Sequence, residues 1–458
     1  MESNTNSENF EYSKNSENSE NEEENMKKFR IYLQFWIGQL FSLLGSAVVS
    51  FVVIWQLSEM DPGNNTIISV AYFANFLPQI IISPIAGVIA DKWDKKKIII
   101  ISDTTQALLT MVLILLFFLK IIQIWHIVLL IFLRGVCQAF QSPVAFAIVP
   151  ILVPKDKMTR INGLNFLLSG VINIIAPLIG AWLLVFLTIE KVLWVDIITF
   201  AIAFFTIIRI KISSNHEKEP QSDGTIHSNK IVFLKEIKTG LKIVKEIKGL
   251  GSVMLMAVFL NFIFMPIDAL MVNFIKIVHD GTKVELGYFM AAFQVGMLFG
   301  ALLTTVVKKW KNWYAWILFG LISEGVAYLI LGLIPKGMFL LLYLDAVLMI
   351  FMNPIVNSLF QTGIQSIVPK DKLGRIVSII MVMTNIASPL GLLLAGILAD
   401  TIGSIQVIYV GCGILTLIVI GITSFSRGFR DLTLHCEQIV SNVSSPQISE
   451  IPEISEKT

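Results

Sequence analysis

The chain has 458 residues, of which 55% are hydrophobic and only 15% charged, and its formal net charge is +2. A soluble domain is about 45–50% apolar and about 25% charged, so this composition excludes an ordinary soluble globular protein. The basic residues flank apolar segments and form no single patch, so the sequence gives no support for nucleic-acid binding.

The N-terminal segment, residues 1–25, is rich in Glu, Asn and Ser and contains almost nothing to bury. Such a composition predicts a disordered tail. The first apolar segment begins near Arg30 and is too long for the hydrophobic region of a cleavable signal peptide. We therefore expect it to remain in the mature protein as a membrane helix.

Twelve apolar spans follow, each about 20 residues long, which is enough to cross the hydrocarbon core of a bilayer as a helix. The first half contains spans at 32–57, 67–90, 98–119, 127–148, 162–187 and 192–210. The second half contains spans at 252–278, 286–307, 313–334, 339–360, 376–399 and 405–425. This pattern predicts an all-α integral membrane protein.

Lysine and arginine concentrate in alternate loops between these spans. Clusters occupy residues 27–30, 92–97, 155–160, 209–248, 308–311, 370–375 and 427–430. The intervening loops hold only Lys120, Lys191, Lys276, Lys283 and Lys336. Because basic loops stay on the cytoplasmic side, the bias predicts a multi-pass plasma-membrane protein with both termini in the cytoplasm.

One long linker separates the two halves. Its segment 230–248 places Ile, Leu and Val at mostly helical spacing among lysines, which predicts an amphipathic helix on the membrane surface. The expected division is a tail (1–29), a six-helix bundle (30–211), the linker (212–250), a second bundle (251–426) and a C-terminal cytoplasmic tail (427–458).

The two halves repeat one another. The phrase VPKDKMTRI at 153–161 returns as VPKDKLGRI at 368–376, and GVIAD at 87–91 returns as GILAD at 396–400. Arg134 of the fourth span stands eight residues before the pair Ser142-Pro143, and Asp345 of the tenth stands eight residues before Asn353-Pro354, so Arg134 corresponds to Asp345. Internal repeats of this kind are typical of secondary transporters.

The loop after the second span resembles the motif Gly-x-x-x-Asp-[Arg/Lys]-x-Gly-[Arg/Lys]-[Arg/Lys] of the major facilitator superfamily. The matching residues are Gly87, Asp91, Lys92, Lys95 and Lys96, with Asp94 in place of the usual glycine. The segments FLRGVCQAFQSP (132–143) and MPIDA (265–269) are similar to the macrolide-efflux branch of bacterial drug–proton antiporters. The resemblance implies two pseudo-symmetric six-helix bundles, the major facilitator fold.

The resemblance also implies that this loop is a conformational latch. Asp91 would face the N-terminal end of the eleventh helix, whose dipole favours an anion, and would hold the outward-facing state. The lysines of the motif are equally explained by simple anchoring at the cytoplasmic surface.

Charged groups inside a membrane span are costly, about 2.5–3.5 kcal/mol each at mid-span, and often functional. The predicted spans contain Asp103, Arg134, Asp196, Asp268, Glu324 and Asp345. By resemblance, helices one, four, seven and ten line the cavity, which places Arg134, Asp268 and Asp345 there.

Asp268 is our first candidate for proton coupling, because an apolar cavity disfavours the carboxylate anion; a salt bridge or hydrogen bond that holds helix seven is the alternative. Pro266 nearby is a possible hinge. Arg134 and Asp345 are expected to pair across the cavity, either for coupling or for structure alone. Glu324 is a further coupling candidate.

Helices one and seven are two of the lining helices that the resemblance implies, and largely apolar pockets with a few polar anchors suit drug-like molecules. The candidates on these helices are Trp36, Gln39, Phe51, Asn261, Phe262 and Met265. The alternative for each aromatic residue is contact with lipid or with a neighbouring helix.

The resemblance implies a secondary exporter of amphipathic, macrolide-like drugs or small metabolites, driven by proton antiport with alternating access, and hence a role in multidrug and antibiotic resistance. Export of a siderophore or peptide antibiotic is an alternative, as is a transporter-like sensor or scaffold. The sequence has no phosphate-binding loop, no nucleophile–base set, and no metal-ligand spacing around its cysteines, so we expect no ATP-driven motor, enzyme, cofactor or metal. The expected partners are a small-molecule substrate, protons and the lipid bilayer, with the chain a monomer.

Overall fold

The computed structural model describes residues 2–154, 157–209, 247, 249–307, 310–368, 377, 380–381 and 383–444. Within these residues the secondary structure is helical, without strands. Twelve helices are long and apolar enough to cross a membrane, which confirms the predicted fold class.

The described residues of the first half form seven helices. They are α1 (Glu2–Met60), α2 (Asn65–Lys92), α3 (Lys95–Phe118), α4 (Ile124–Leu152), α5 (Met158–Phe186), the short α6 (Ile189–Val192) and α7 (Trp194–Arg209). We call the end of the bundle that carries Lys95 and Lys96 the basic end, and the opposite end, where α1, α3 and α5 terminate, the far end.

The second half begins with α8 (Leu250–Asn273), which continues into a π-helical turn, Phe274–Val278. The remaining helices are α9 (Lys283–Val306), α10 (Trp313–Leu333), α11 (Phe339–Phe351), α12 (Asn353–Ile367), α13 (Ser388–Ile402), α14 (Ile405–Ser424) and α15 (Arg427–Ser444). The tenth span is divided between α11 and α12, and Pro354 lies in the first turn of α12. Backbone N–H groups in the first turn of a helix have no intrahelical acceptor, so the missing N–H of proline costs no hydrogen bond there.

Each half packs mainly on itself, and the halves meet through α5 against α9 and through α2 against α13. At the far end one hydrophobic cluster contains residues of both halves, among them Leu57, Leu270 and Phe274. At the basic end each half has its own cluster, one around Tyr32 and one around Trp313. The halves are therefore joined at the far end and have separate cores at the basic end.

Small residues bring the helices close together, which matters because apolar burial alone does not drive helix association in lipid. A Cβ atom at Gly135 of α4 would lie 2.6 Å from the backbone oxygen of Asn75 in α2. Glycine at this position is therefore required for the close contact of α2 with α4.

Two expectations about the ends of the chain differ from the structure. The acidic segment expected to be disordered is the beginning of α1, which starts at Glu2. Because the membrane span already supplies the costly helix nucleus, the polar segment only has to extend it. The amphipathic helix expected at 230–248 falls almost entirely outside the described residues.

The second difference is α15, which lies where we expected a polar tail. Phe429, Leu432 and Cys436 of α15 are buried against the basic end of the second half. The Glu437 carboxylate accepts hydrogen bonds from the backbone N–H groups of Asn312 (2.7 Å) and Trp313 (3.0 Å) at the start of α10. Residues 445–458 lie outside the described part of the chain.

Candidate transport cavity and buried charges

Three adjoining cavities run through the bundle. The central cavity, of about 340 Å³, is lined mainly by the first half, including Ser46, Gln106 and Arg134. A second cavity of about 300 Å³ lies toward the basic end and shares Ser46 and Gln106 with the first. The third, of about 260 Å³, shares Asn173 and Pro177 of α5 with the central cavity. Together they have the size of a pocket for a drug-like ligand, about 300–1,000 Å³.

The wall of the basic-end cavity carries a network of amides around one carboxylate. Asp103 of α3 accepts hydrogen bonds from Gln39 Nε2 (3.0 Å) and from Gln141 Nε2 (2.6 Å). The oxygen of Gln141 in turn accepts a hydrogen bond from Gln106 Nε2 at 3.1 Å. Asp103 therefore lies in the interior of the first half, where its carboxylate is satisfied by amides of α1 and α4.

A second polar cluster centres on an ion pair. The Arg134 Nη1 atom of α4 lies 2.9 Å from Asp196 Oδ2 of α7, and both side chains are buried. Thr110 of α3 donates to the same oxygen at 2.6 Å and also hydrogen-bonds Arg134, while Ser46 donates to Asp196 Oδ1 at 3.2 Å.

The expected pair between Arg134 and Asp345 is wrong, because the guanidinium binds Asp196 of its own half. Packing of α7 on α1 and α3 brings Asp196 within reach of α4. Asp196 is therefore held in a structural ion pair within the first half.

Asp268 of α8 lines the third cavity, opposite Asn173 of α5 and Gln294 of α9. Its side chain is exposed to the cavity, and no other described residue forms an ion pair or hydrogen bond with its carboxylate. The alternative in which a salt bridge or hydrogen bond of Asp268 holds helix seven is therefore absent from the described contacts.

Pro266, two residues before Asp268, lies where α8 and α13 approach each other closely. Pro266 lacks the N–H that would bond the carbonyl oxygen of Phe262 one turn earlier. Gly391 of α13 packs against that oxygen, since a Cβ atom at position 391 would lie only 2.5 Å from it. A bend at Pro266 remains a prediction.

The two other acidic candidates lie inside the second half. Glu324 of α10 and Asp345 of α11 are both buried, and each has one carboxylate oxygen without a partner among the described residues. Neither acid belongs to the lining of the three cavities.

The substrate-cavity candidates divide by helix. Trp36 and Gln39 line the basic-end cavity, and Phe51 lines the central cavity. The three candidates on α8 lie outside these linings. They are Asn261, whose amide bonds the Ala257 carbonyl of its own helix, and Phe262 and Met265, which pack against Gly391.

Sequence reasoning missed the amides of α3 and α4. Gln106 and Gln138 line both the central and the basic-end cavities, and Gln141 lines the latter. Uncharged but strongly polar residues in otherwise apolar spans are the signal that could have identified them.

The predicted latch motif is only partly described. Asp94 caps the N-terminus of α3, since its carboxylate accepts from the backbone N–H of Lys96 at 2.9 Å, and this explains an Asp where the motif has Gly. Lys96 Nζ also donates to the Ile208 carbonyl of α7 at 3.0 Å. Lys95 is the first residue of α3. The side chains of Asp91 and Lys92 lie outside the described part of the chain, so the latch remains a prediction.

The sequence profile of the Major Facilitator Superfamily matches residues 35–362 and 314–431. Macrolide efflux protein A of Streptococcus pyogenes is 28% identical over 368 residues, covering 80% of this chain and 89% of that protein. The multidrug efflux pump Tap of Mycolicibacterium fortuitum is 25% identical over 366 residues, covering 78% of this chain and 86% of the pump.

Solved structures share the fold at low identity. A bacterial homologue of the iron transporter ferroportin, in an inward-facing state, superimposes with a TM-score of 0.67 at 15% identity, covering 87% of this chain and 99% of that one. A D-xylose–proton symporter gives a TM-score of 0.63 at 12% identity, covering 85% and 97% of the two chains.

Proposed function

We propose that this chain, which belongs to the Major Facilitator Superfamily, exports amphipathic drugs, macrolides among them, across the plasma membrane by proton antiport. The observation that carries the proposal is the set of adjoining cavities, whose wall in the first half combines amides with apolar side chains. Such a surface suits a molecule with a large apolar body and a few polar groups. Similarity to a macrolide efflux protein over most of that protein's length supports the same substrate class.

Alternating access is the proposed transport cycle. The separate cores at the basic end and the shared core at the far end suit a state in which the cavities communicate with the basic end. With the basic end in the cytoplasm, this state would load substrate from inside the cell. The halves would then rock about the cavity to release it at the far end.

Asp268 is the proposed proton-coupling acid. Of the three acidic coupling candidates, Asp268 lines one of the three cavities, whereas Glu324 and Asp345 do not. No other described residue forms an ion pair with the Asp268 carboxylate. Arg134, in contrast, forms an ion pair with Asp196, so its proposed part in coupling is to neutralise that buried carboxylate in the first half. For Glu324 and Asp345, burial away from the cavities favours a secondary role.

The drug-export proposal is tested by accumulation of erythromycin and of a panel of amphipathic compounds in bacteria that express the chain. We expect lower accumulation than in cells without it, and a return to the control level when a protonophore collapses the proton gradient. Accumulation equal to that of the control cells for every compound would contradict drug export, and a siderophore or peptide-antibiotic panel would then be the next measurement.

The proposed topology is tested by reporter fusions at the two termini. Because the lysine-rich loops are expected in the cytoplasm, a reporter that is active only there should work at both ends. A reporter active at only one terminus would contradict the even number of spans.

A further inference from the structure

Hydrogen bonds between the two halves, where both residues are described, cluster at the far end. Lys276 Nζ, beyond α8, donates to the backbone oxygen of Ser58 in α1 at 2.7 Å. Lys283 Nζ of α9 donates to the backbone oxygen of Leu184 in α5 at 2.8 Å. The Asp400 carboxylate of α13 accepts from the start of α2.

Asp400 uses both of its oxygens in this contact. Oδ1 accepts from the backbone and side-chain N–H groups of Asn65, each at 2.9 Å. Oδ2 accepts from the Thr66 backbone N–H at 2.9 Å and from the Thr66 hydroxyl at 2.6 Å. Four donors therefore bind one carboxylate across the boundary between the halves.

In all three contacts the sign of the charge matches the helix end. Ser58 and Leu184 lie in the last turns of α1 and α5, whose carbonyls carry partial negative charge, and each binds a lysine. Asn65 and Thr66 open α2, whose N–H groups carry partial positive charge, and they bind the aspartate.

We propose that Lys276, Lys283 and Asp400 form an outer gate, in which three charged side chains of the second half cap three helix ends of the first and hold the far end closed. This inference rests on the alternating access of the proposed function. Opening the far end separates all three contacts at once, so each one favours the state seen here.

A glycine one turn before Asp400 adds a second step to this inference. Gly396 and Asp400 begin and end the GILAD phrase, and a Cβ atom at Gly396 would lie 2.6 Å from the Asn65 backbone oxygen, so glycine is what lets α13 approach α2. The similar GVIAD phrase at the end of α2 begins at Gly87, where the same construction meets no atom of the described residues within 4 Å. The glycine of the far-end phrase is therefore packed against the first half in this state.

The contact of Gly396 and Asp400 with the start of α2 is the GILAD latch, and it holds the far end closed here. A weakened GILAD latch therefore shifts the population toward the state that is open at the far end.

The gate is tested by distances between spin labels at the far end. Cysteines replace Ile121 in the first half and Lys336 in the second, in a chain whose three native cysteines are changed to alanine. Both positions are exposed and take no part in the gate. The full-length protein is measured in lipid nanodiscs without substrate, so the result does not depend on whether a drug is transported.

We expect one dominant short distance for the unmodified gate. Asp400→Asn, which keeps the shape and removes the charge, should raise the ratio of long to short distances by roughly tenfold, as should Lys276→Met and Lys283→Met. The matched controls are Asp61→Asn, a far-end carboxylate that binds Asn64 of its own half, and Lys191→Met at an exposed position. Both controls should keep the short distance.

A distance distribution for Asp400→Asn identical to that of the unmodified gate would overturn the inference. If that variant does not fold, Thr66→Val, which removes a single donor to Asp400, provides the test instead. Unchanged distances in a protein that exports drug would overturn the gate alone. Shifted distances in a protein that moves no drug would contradict the proposed export and leave the gate standing.

Discussion

Arg134 and Asp196 form a buried ion pair within the first half, with the Arg134 Nη1 and Asp196 Oδ2 atoms 2.9 Å apart. Hydroxyl groups of Thr110 and Ser46 satisfy the remaining positions on the carboxylate. A charge buried in the membrane is tolerated when it is paired and fully hydrogen-bonded. The pair therefore ties α4 to α7 and links α1 and α3 to them.

The first prediction concerns this pair. Arg134→Met leaves the Asp196 carboxylate buried without a cation, and breaking a buried pair in this way costs about 3–5 kcal/mol. We expect a clearly lower midpoint of thermal unfolding for the purified protein in detergent. The combined change Arg134→Met with Asp196→Leu should recover much of the loss, because no charge is then left unpaired. A single variant as stable as Lys191→Met would contradict this account.

The second prediction concerns substrate recognition. Gln39 lines the basic-end cavity and donates to Asp103, so Gln39→Ala removes a polar contact and leaves that carboxylate one donor short. We expect the KM for drug export to rise about fivefold, equal to about 1 kcal/mol of lost hydrogen bonding. Asn357→Ala is the control, since the Asn357 amide bonds only within its own helix. Equal KM values for the two variants would exclude Gln39 from the binding surface.

The third prediction concerns the C-terminal helix. The Glu437 carboxylate caps the N-terminus of α10 through two backbone N–H groups, so Glu437→Ala should cost about 1 kcal/mol, as for other lost caps. Thermal unfolding of Glu437→Ala is compared with that of Asp431→Ala, which changes an exposed acid of the same helix. If both variants unfold at the same temperature, α15 is not held by this cap.

The fourth prediction concerns pH. His279 lies at the far end between the rings of Phe274 and Phe339, and both ring nitrogens lack a partner among the described residues. Burial lowers the pKa of His279 below its usual value of 6.5. Below about pH 6.5 the unfolded chain therefore binds the proton more readily than the folded one, and stability falls as the pH falls.

The measurement is the unfolding midpoint between pH 5 and pH 8 for the natural chain and for His279→Leu. The natural chain should lose stability toward pH 5 more steeply than the variant, which has no imidazole to protonate. Parallel pH curves for the two proteins would show that His279 contributes nothing to this dependence.

The membrane spans could be predicted because bilayer thickness fixes their length and composition, and the two related halves because the VPKD phrases repeat. The ion-pair partner of Arg134 could not be predicted, because it depends on which helices are neighbours. The partner, Asp196, lies on α7, far along the chain from Arg134. The C-terminal helix was missed because its apolar residues, Phe429, Leu432 and Cys436, are few among polar ones, although their spacing is helical. The similarity of GILAD to GVIAD was visible in the sequence, but the contact of Asp400 with α2 could be seen only in the structure.

The most direct test of the account is drug flux into proteoliposomes with an imposed pH gradient. With an acidic interior, purified protein should accumulate erythromycin above the level in protein-free vesicles under the same gradient. Asp268→Asn should reduce that excess at least about tenfold, a change of about 1.4 kcal/mol, while Asp280→Asn, an exposed acid bound to Lys336, should preserve it. Gradient-driven accumulation by Asp268→Asn equal to that of the natural chain would contradict the assignment of Asp268 as the acid that couples protons to export.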